Sequence, residues 1–477
     1  MKEYKPYDVN VLKRCLTWLG VMVVLMMLTK GSAAALFPVV ALGALVQNKT
    51  KTLFFVVLMM IVATVGNQFL MPKNIVFAVT VRATLGLLAF FMALQNAGQK
   101  TSKYVTPLLG ILFYLIWEAA ISAQGWSPIV SYLKLILFGA IYFAFYNVAN
   151  KAATSKGINA YEMRAMVLSI AVFLIGGSAV LFFFPGIGMM NSSDFTDPSQ
   201  AMLGVSLFKG MTMHSQSLGP IVAGIATLLF ADLVFSIKRW DRLYIALLLI
   251  APYIIFKTSS RTAMGSLLGG IGVTTWLLIR AQGVGQRWKG KIISAMAFTV
   301  MTFLCFAFLL PSVRQKINTF LVKFHQAEAS ETIGFEELTI TRQGLVDAAM
   351  YNFKKKPLMG NGFQVSEEML MDNRDDISTY ISAPIEKGVW ISAVLEEGGF
   401  VGFLLFSGFL MAAFSIFVKR KAYISAAILF VMALSNMGEF TFFSMSYTGG
   451  LMWLLEFCAV AMDAHRETKF PAIMYHG

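Results

Sequence analysis

The stretch DRLYIALLLIAPYIIFK (241–257), TSS (258–260) and RTAMGSLLGGIGVTTWLLIR (261–280) decides the fold. Two apolar runs, each close to the length a bilayer asks of a helix, meet head to tail across three hydroxyl-bearing residues. Lys257 and Arg261 flank that junction, and Arg242 and Arg280 stand at the far ends. Working outward, apolar runs of this kind recur along nearly all of the 477 residues. The chain is 57% hydrophobic and only 13% charged, about half the charge of a soluble domain. Helices satisfy their backbone groups internally, so such runs predict an all-α, polytopic transmembrane bundle.

About 12–14 helices are predicted: 16–29, 33–47, 53–71, 75–95, 104–123, 129–149, 164–185, 215–236, 241–257, 262–280, 291–311, 399–418, 421–438 and 445–463. The segment 33–47 is short enough to be re-entrant. Alternate connections carry the cations, among them Lys49/Lys51, Lys238/Arg239/Arg242 and Lys419/Arg420/Lys421. That alternation sets both termini in the cytoplasm, with the lipid bilayer as the first partner. It also accounts for the net charge of +14 without nucleic acid. Cys15, Cys305 and Cys458 fall in or at the ends of predicted helices, so no disulfide framework is indicated. No His/Cys cluster suggests a metal, and no cofactor is called for.

Three parts follow: an N-terminal bundle (1–311), a large cap loop on the outer side (312–388) and a C-terminal group of helices (389–477). A connection as long as the cap loop is usually functional or disordered. Within it, 339–356 sets Arg342, Val346, Ala349 and Phe353 on one helical face, and Pro357 stops the run. PLMGNGF (357–363) is then a turn cluster.

Arg261 lies on the side that should be poor in cations, so it asks for an anion. Ser259, Ser260 and Arg261 open a helix, where free N–H groups and a guanidinium fork suit phosphate oxygens; a snorkelling arginine is the plainer reading. Lys257 is one turn away. Arg342 faces the bundle, as a structural ion pair or as a second ligand for the same anion. Lys209 and His214 sit in the polar approach to the eighth helix, His214 as a general base or as an orienting hydrogen-bonding group. Arg82, Glu118 and Lys134 fall in the outer third of helices four, five and six, where a charge needs a partner or a cavity. An Arg82–Glu118 pair with Lys134 facing a cleft is the simplest arrangement. Asp232 and Glu456, nearer the inner side, read as structural. Glu386 stands where the cap returns to the membrane. Glu396 and Glu397 are expected at the start of a helix, as caps or, with Glu386, as candidate bases. Gly265, Gly269 and Gly270 mark a close-packing face.

In order, the Gly210–Gly219 stretch, Ser259-Ser260-Arg261-Thr262-Ala263, Arg342 with its helix, Pro357–Gly362 and the pair Gly399/Gly402 resemble the bacterial O-antigen ligase and polysaccharide polymerase superfamily. The resemblance covers roughly 200–410. It implies transfer of a glycan from a polyprenyl-diphosphate-linked oligosaccharide donor to a glycan acceptor at the periplasmic face of the inner membrane. The implied chemistry is metal-independent and inverting, with Arg261 and Arg342 on the diphosphate. Export or chain-length machinery is an implied partner. The ligase histidine is absent: its place falls on Gly388-Val389, leaving Glu386 as the nearest base. This tilts the expectation from an O-antigen ligase or protein O-oligosaccharyltransferase toward a polymerase. A transporter or flippase of lipid-linked sugars is the reading from another class, set back by the absence of an internal repeat.

Overall fold

The computed structural model describes residues 5–96, 100–154, 157–190, 207–236, 241–281, 290, 335–365, 387–444 and 448–469, with side chains left aside at 96, 335–343 and 466–469. Among them the architecture is helical, with two isolated bridges, Gly66 with Thr212 and Met189 with Phe208. The helices are α1 (Val9–Leu28), α2 (Leu36–Val46), α3 (Thr50–Val65), α4 (Ile75–Asn96), α5 (Ile111–Ser122), α6 (Pro128–Thr154) and α7 (Ala160–Leu181). They continue as α8 (Ser215–Ser236), α9 (Arg242–Lys257), α10 (Arg261–Arg280), α11 (Phe335–Lys355), α12 (Trp390–Lys419), α13 (Tyr423–Ser435) and α14 (Thr448–Lys469). Seven are long and apolar enough to cross a membrane, and four shorter apolar helices accompany them.

The polypeptide forms a polytopic helical bundle. Residues on α8 are buried nearly all round, because α8 packs against α9, α10, α13 and α14 at once. Outer helices instead present bare apolar side chains such as Val39, Phe90, Ile136 and Leu249, as a lipid-facing surface does. Gly270 lets α10 close on Thr227 of α8 and Val431 of α13, and Gly269 meets Leu434; Gly265 meets nothing within 4 Å and has no part in that seam.

Several expected boundaries shift, each for a local reason. Asp8 accepts hydrogen bonds from Asn10 and Val11 N–H, so α1 begins at Val9 rather than near 16. Segment 33–47 is a 3₁₀ turn (Ser32–Ala35) followed by the short α2. Helix α3 stops at Val65, since Asn67 turns the chain by donating to Ile187 and Gly210 carbonyls. The expected helix at 291–311 lies outside the described residues. The largest correction concerns α12: it starts at Trp390, not 399, and Gly399 is a break inside it (φ 66°, ψ −168°).

The two ends of the bundle differ. At one, Lys51 pairs with Glu162, and Arg164 Nε lies 3.0 Å from both Asp232 oxygens, with the Tyr244 hydroxyl 2.9 Å from Oδ2. Asp232 is thus held in a buried ion pair with Arg164. The other end carries α11, the 357–365 turn and the residues described next.

Candidate functional site

The break in α12 frees backbone groups that a buried helix cannot leave unmade. Turn 357–362 lies across it and supplies the partners. Asn361 N–H donates to the Glu396 and Glu397 carbonyls (2.9 and 3.0 Å), Gly362 N–H to Glu397 (3.0 Å), and Phe400 N–H to Pro357 (2.8 Å). The Trp117 indole of α5 donates to the Gly398 carbonyl at 2.8 Å. Glycine is required on both sides of this crossing. A Cβ on Gly360 (φ +71°) would stand 2.1 Å from the Glu397 carbonyl oxygen, and one on Gly399 (φ +66°) 2.3 Å from that of Leu358.

Because α12 starts nine residues earlier than expected, Glu396 and Glu397 are not first-turn caps. Both are buried and face Lys387, whose Nζ lies 3.2 Å from Glu396, 3.0 Å from Glu397 and 2.8 Å from the Val365 carbonyl oxygen. Burial alone would lower the Lys387 ammonium, but the two carboxylates outweigh it and hold its pKa above the usual lysine value. Asn352 of α11 donates to Glu396 at 2.9 Å, docking the cap helix on the same cluster.

Glu118 comes in from α5 through the gap left by Gly398, where a Cβ would meet its Oε1 at 2.4 Å. It is fully buried, and neither of its oxygens accepts a hydrogen bond among the described residues; the simple Arg82–Glu118 pair is not formed. Tyr114, one turn earlier, interacts with Glu118 without reaching hydrogen-bond geometry. Lys134 of α6 donates to the Gln364 carbonyl at 3.1 Å. Glu118, Lys134 and Glu397 are therefore brought together, while Arg82 stands half-buried on α4. About 20 residues separate the α12 break from Lys419, and Lys134 from Thr154. At ~1.5 Å per residue each is about 30 Å, the thickness of a bilayer core. The cluster therefore lies about one bilayer-core thickness from the far ends of α12 and α6.

A second group occupies the same end. Arg261 is the first residue of α10, half-buried, and Ser260 caps the helix by accepting from Ala263 N–H. The α8 and α10 starts touch, since a Cβ on Gly219 would meet Ser260 at 2.8 Å. Lys257 is exposed over the Tyr253 ring, and buried Lys209 lies 5.2 Å from the Phe69 ring centroid. His214 Nδ1 accepts from Gln216 N–H at 3.1 Å, an orienting contact at the start of α8. The turn 436–444 joins the two groups. Gly438 packs on Thr262, the Asn436 carbonyl accepts from Trp390 N–H, and Phe443 stacks on Tyr114 with centroids 5.3 Å apart.

Arg342 lies on the α11 backbone but its side chain, like all of Glu386, is outside the described residues. Lys387 and Asn361 are site residues that the sequence reading missed. The signal for Lys387 was its place beside Glu386, nine and ten residues ahead of a carboxylate pair; for Asn361 it was the Gly-Asn-Gly turn. Among the described residues no group of three or more His, Cys, Asp or Glu side chains is disposed to hold a metal ion. No family model matches the chain, and no curated protein matches it at a significant level.

Proposed function

We propose that this protein is a membrane glycosyltransferase that joins polyprenyl-diphosphate-linked oligosaccharides, of the polysaccharide or O-antigen polymerase type. The observation that carries the reading is the division of charge at one end of the bundle. Lys209, Lys257 and Arg261 stand on stretches (207–231 and 242–280) of which neither contains Asp or Glu. Across turn 436–444, α5 and α12 contribute Glu118, Glu396 and Glu397 against Lys387 and Lys134. A group transfer uses such a division. The acceptor hydroxyl forms the new C–O bond at the anomeric carbon and gives its proton to a carboxylate. The bond to the diphosphate oxygen breaks, its electron pair goes to the leaving diphosphate, and cations stabilise the charge that develops there.

The membrane would be a bacterial inner membrane, with this end periplasmic and both termini cytoplasmic. Arg261→Ala and Arg342→Ala are expected to abolish product while the protein still inserts and accumulates; polymer retained in both overturns the reading. Glu386→Gln with full activity removes that residue as base. Product analysis separates a polymerase, which lengthens the carrier-linked chain, from a ligase, which transfers a finished one.

One observation favours a transporter instead: α12 is a broken helix beside buried charges, a device of transporter binding sites. Those sites lie near the bilayer midplane, however, and this break is about one slab thickness from the far end of its helix. Passage of carrier-linked sugar across vesicles with no change in glycan length would favour transport.

A further inference from the structure

The α3–α4 turn carries a cation that the mechanism above does not use. Asn67 fixes this turn to the 207–214 segment: its N–H donates to Met211 O at 2.8 Å, and its side chain donates to Gly210 O at 2.7 Å. Met213 N–H donates in turn to Val65 O at 3.0 Å. Lys73 lies half-buried in the joint so formed. Its ammonium contacts the Thr64 carbonyl oxygen and the Met213 thioether sulfur. Neither carries a charge, and among the described residues no carboxylate is within ion-pair distance of Lys73. A half-buried ammonium without a counter-charge is costly to keep. Buried Lys209 is in the same joint, over Phe69 of the same turn, and Met213 is followed directly by His214 and the start of α8.

We propose that Lys73 is a phosphate-binding residue, joining Lys209 and Arg261 in holding the diphosphate of the lipid-linked donor. The inference rests on the function proposed above and adds a residue from a different part of the chain, nearly 190 positions from Arg261. Burial pushes the Lys73 amine down to about 7, as expected for a cation whose partner is not supplied by the protein. A purely structural role is the competing account: Lys73 caps the last turn of α3 through the Thr64 carbonyl. Glutamine keeps a donor for that carbonyl but not the charge, so it separates the two.

The test uses the full chain in detergent micelles, with farnesyl diphosphate as probe and binding followed by calorimetry. Lys73→Gln and Lys73→Met are expected to weaken binding about tenfold or more, the effect of losing one charge-assisted hydrogen bond. Lys73→Arg should stay near the wild type. If the Met variant does not accumulate, the Gln variant carries the comparison. Wild-type binding in both neutral variants, with loss in Arg261→Ala, overturns the Lys73 assignment and leaves the donor reading standing. Failure of the wild type to bind removes the donor reading and this inference with it. The source of the phosphate is decided in nanodiscs with and without phosphatidylglycerol. A Lys73 effect confined to the anionic lipid, with farnesyl diphosphate binding unchanged, assigns the residue to a headgroup and overturns the proposal.

Discussion

Replacing Lys387 by methionine tests the acidic half of the site most directly. Lys387 is 3% exposed and sits 3.2 and 3.0 Å from two carboxylates that are themselves buried. At an effective dielectric of ~20, each contact is worth about 5 kcal/mol of Coulomb attraction before desolvation is subtracted. Desolvation of the lysine offsets much of this. Removing one member of a buried pair nevertheless costs about 3–5 kcal/mol, because the remaining charge is left unpaired. Here two carboxylates are left, along with the Val365 carbonyl that Lys387 holds. For a chain of this length about 1–2 °C accompanies each kcal/mol. The apparent unfolding temperature in detergent should therefore fall by about 3–10 °C. Adding Glu397→Gln to the Met variant removes one of the two charges left without Lys387 and should recover about half of the loss. A Met variant within 1 °C of the wild type would refute the reasoning, as would a double variant less stable than the single one.

Three further outcomes follow from other parts of the molecule. Gly360→Ala places a Cβ 2.1 Å from a carbonyl oxygen at a left-handed φ and should cost more than ~2 kcal/mol, read as lost accumulation in the membrane; Gly408→Ala, with nothing within 4 Å, should be tolerated. The affinity for farnesyl diphosphate should fall as pH rises through about 7, since the Lys73 amine is protonated below that value and neutral above it. Lys73→Arg should flatten this part of the profile while leaving neighbouring His214 and Lys209 unchanged; superimposable profiles would exclude Lys73 as its source. Arg164→Met strands buried Asp232 at the opposite end and should cost about 3–5 kcal/mol. Product formed per folded molecule should stay unchanged, so a specific loss of transfer would show that this pair does more than hold the fold.

The polytopic helical bundle is legible in the sequence because lipid imposes long apolar runs. Helix ends are less so. Gly398-Gly399 reads as a helix start when considered alone, yet in the fold it is an interruption, stabilised by a turn some forty residues earlier and an indole on α5. The misplaced start carried Glu396 and Glu397 into a capping role and left Lys387 without a partner to suggest it. Glu118 and Lys134 were visible as charges inside apolar runs. What they face was not visible, because the Gln364 carbonyl that accepts from Lys134 and the gap at Gly398 that admits Glu118 come from distant parts of the chain. Lys73 escaped for the converse reason, since a lysine beside a proline and an asparagine in a short connection looks like an ordinary flanking cation.

The indole of Trp117 and the Gly398 carbonyl are 281 positions apart, and that separation bears on biogenesis. At ~5–20 residues per second, a ribosome takes roughly 15–55 s to travel between them. Helix α5 is therefore delivered to the bilayer with Glu118 and Trp117 already in place while α12 and its crossing turn do not yet exist. During that interval a carboxyl group has to be tolerated by lipid, water or an insertion factor. Docking of α12 is consequently a late, post-translocational step that withdraws the exposed acid from the bilayer. Truncated nascent chains ending before Trp390 should thus be the ones that cellular membrane-quality control recognises.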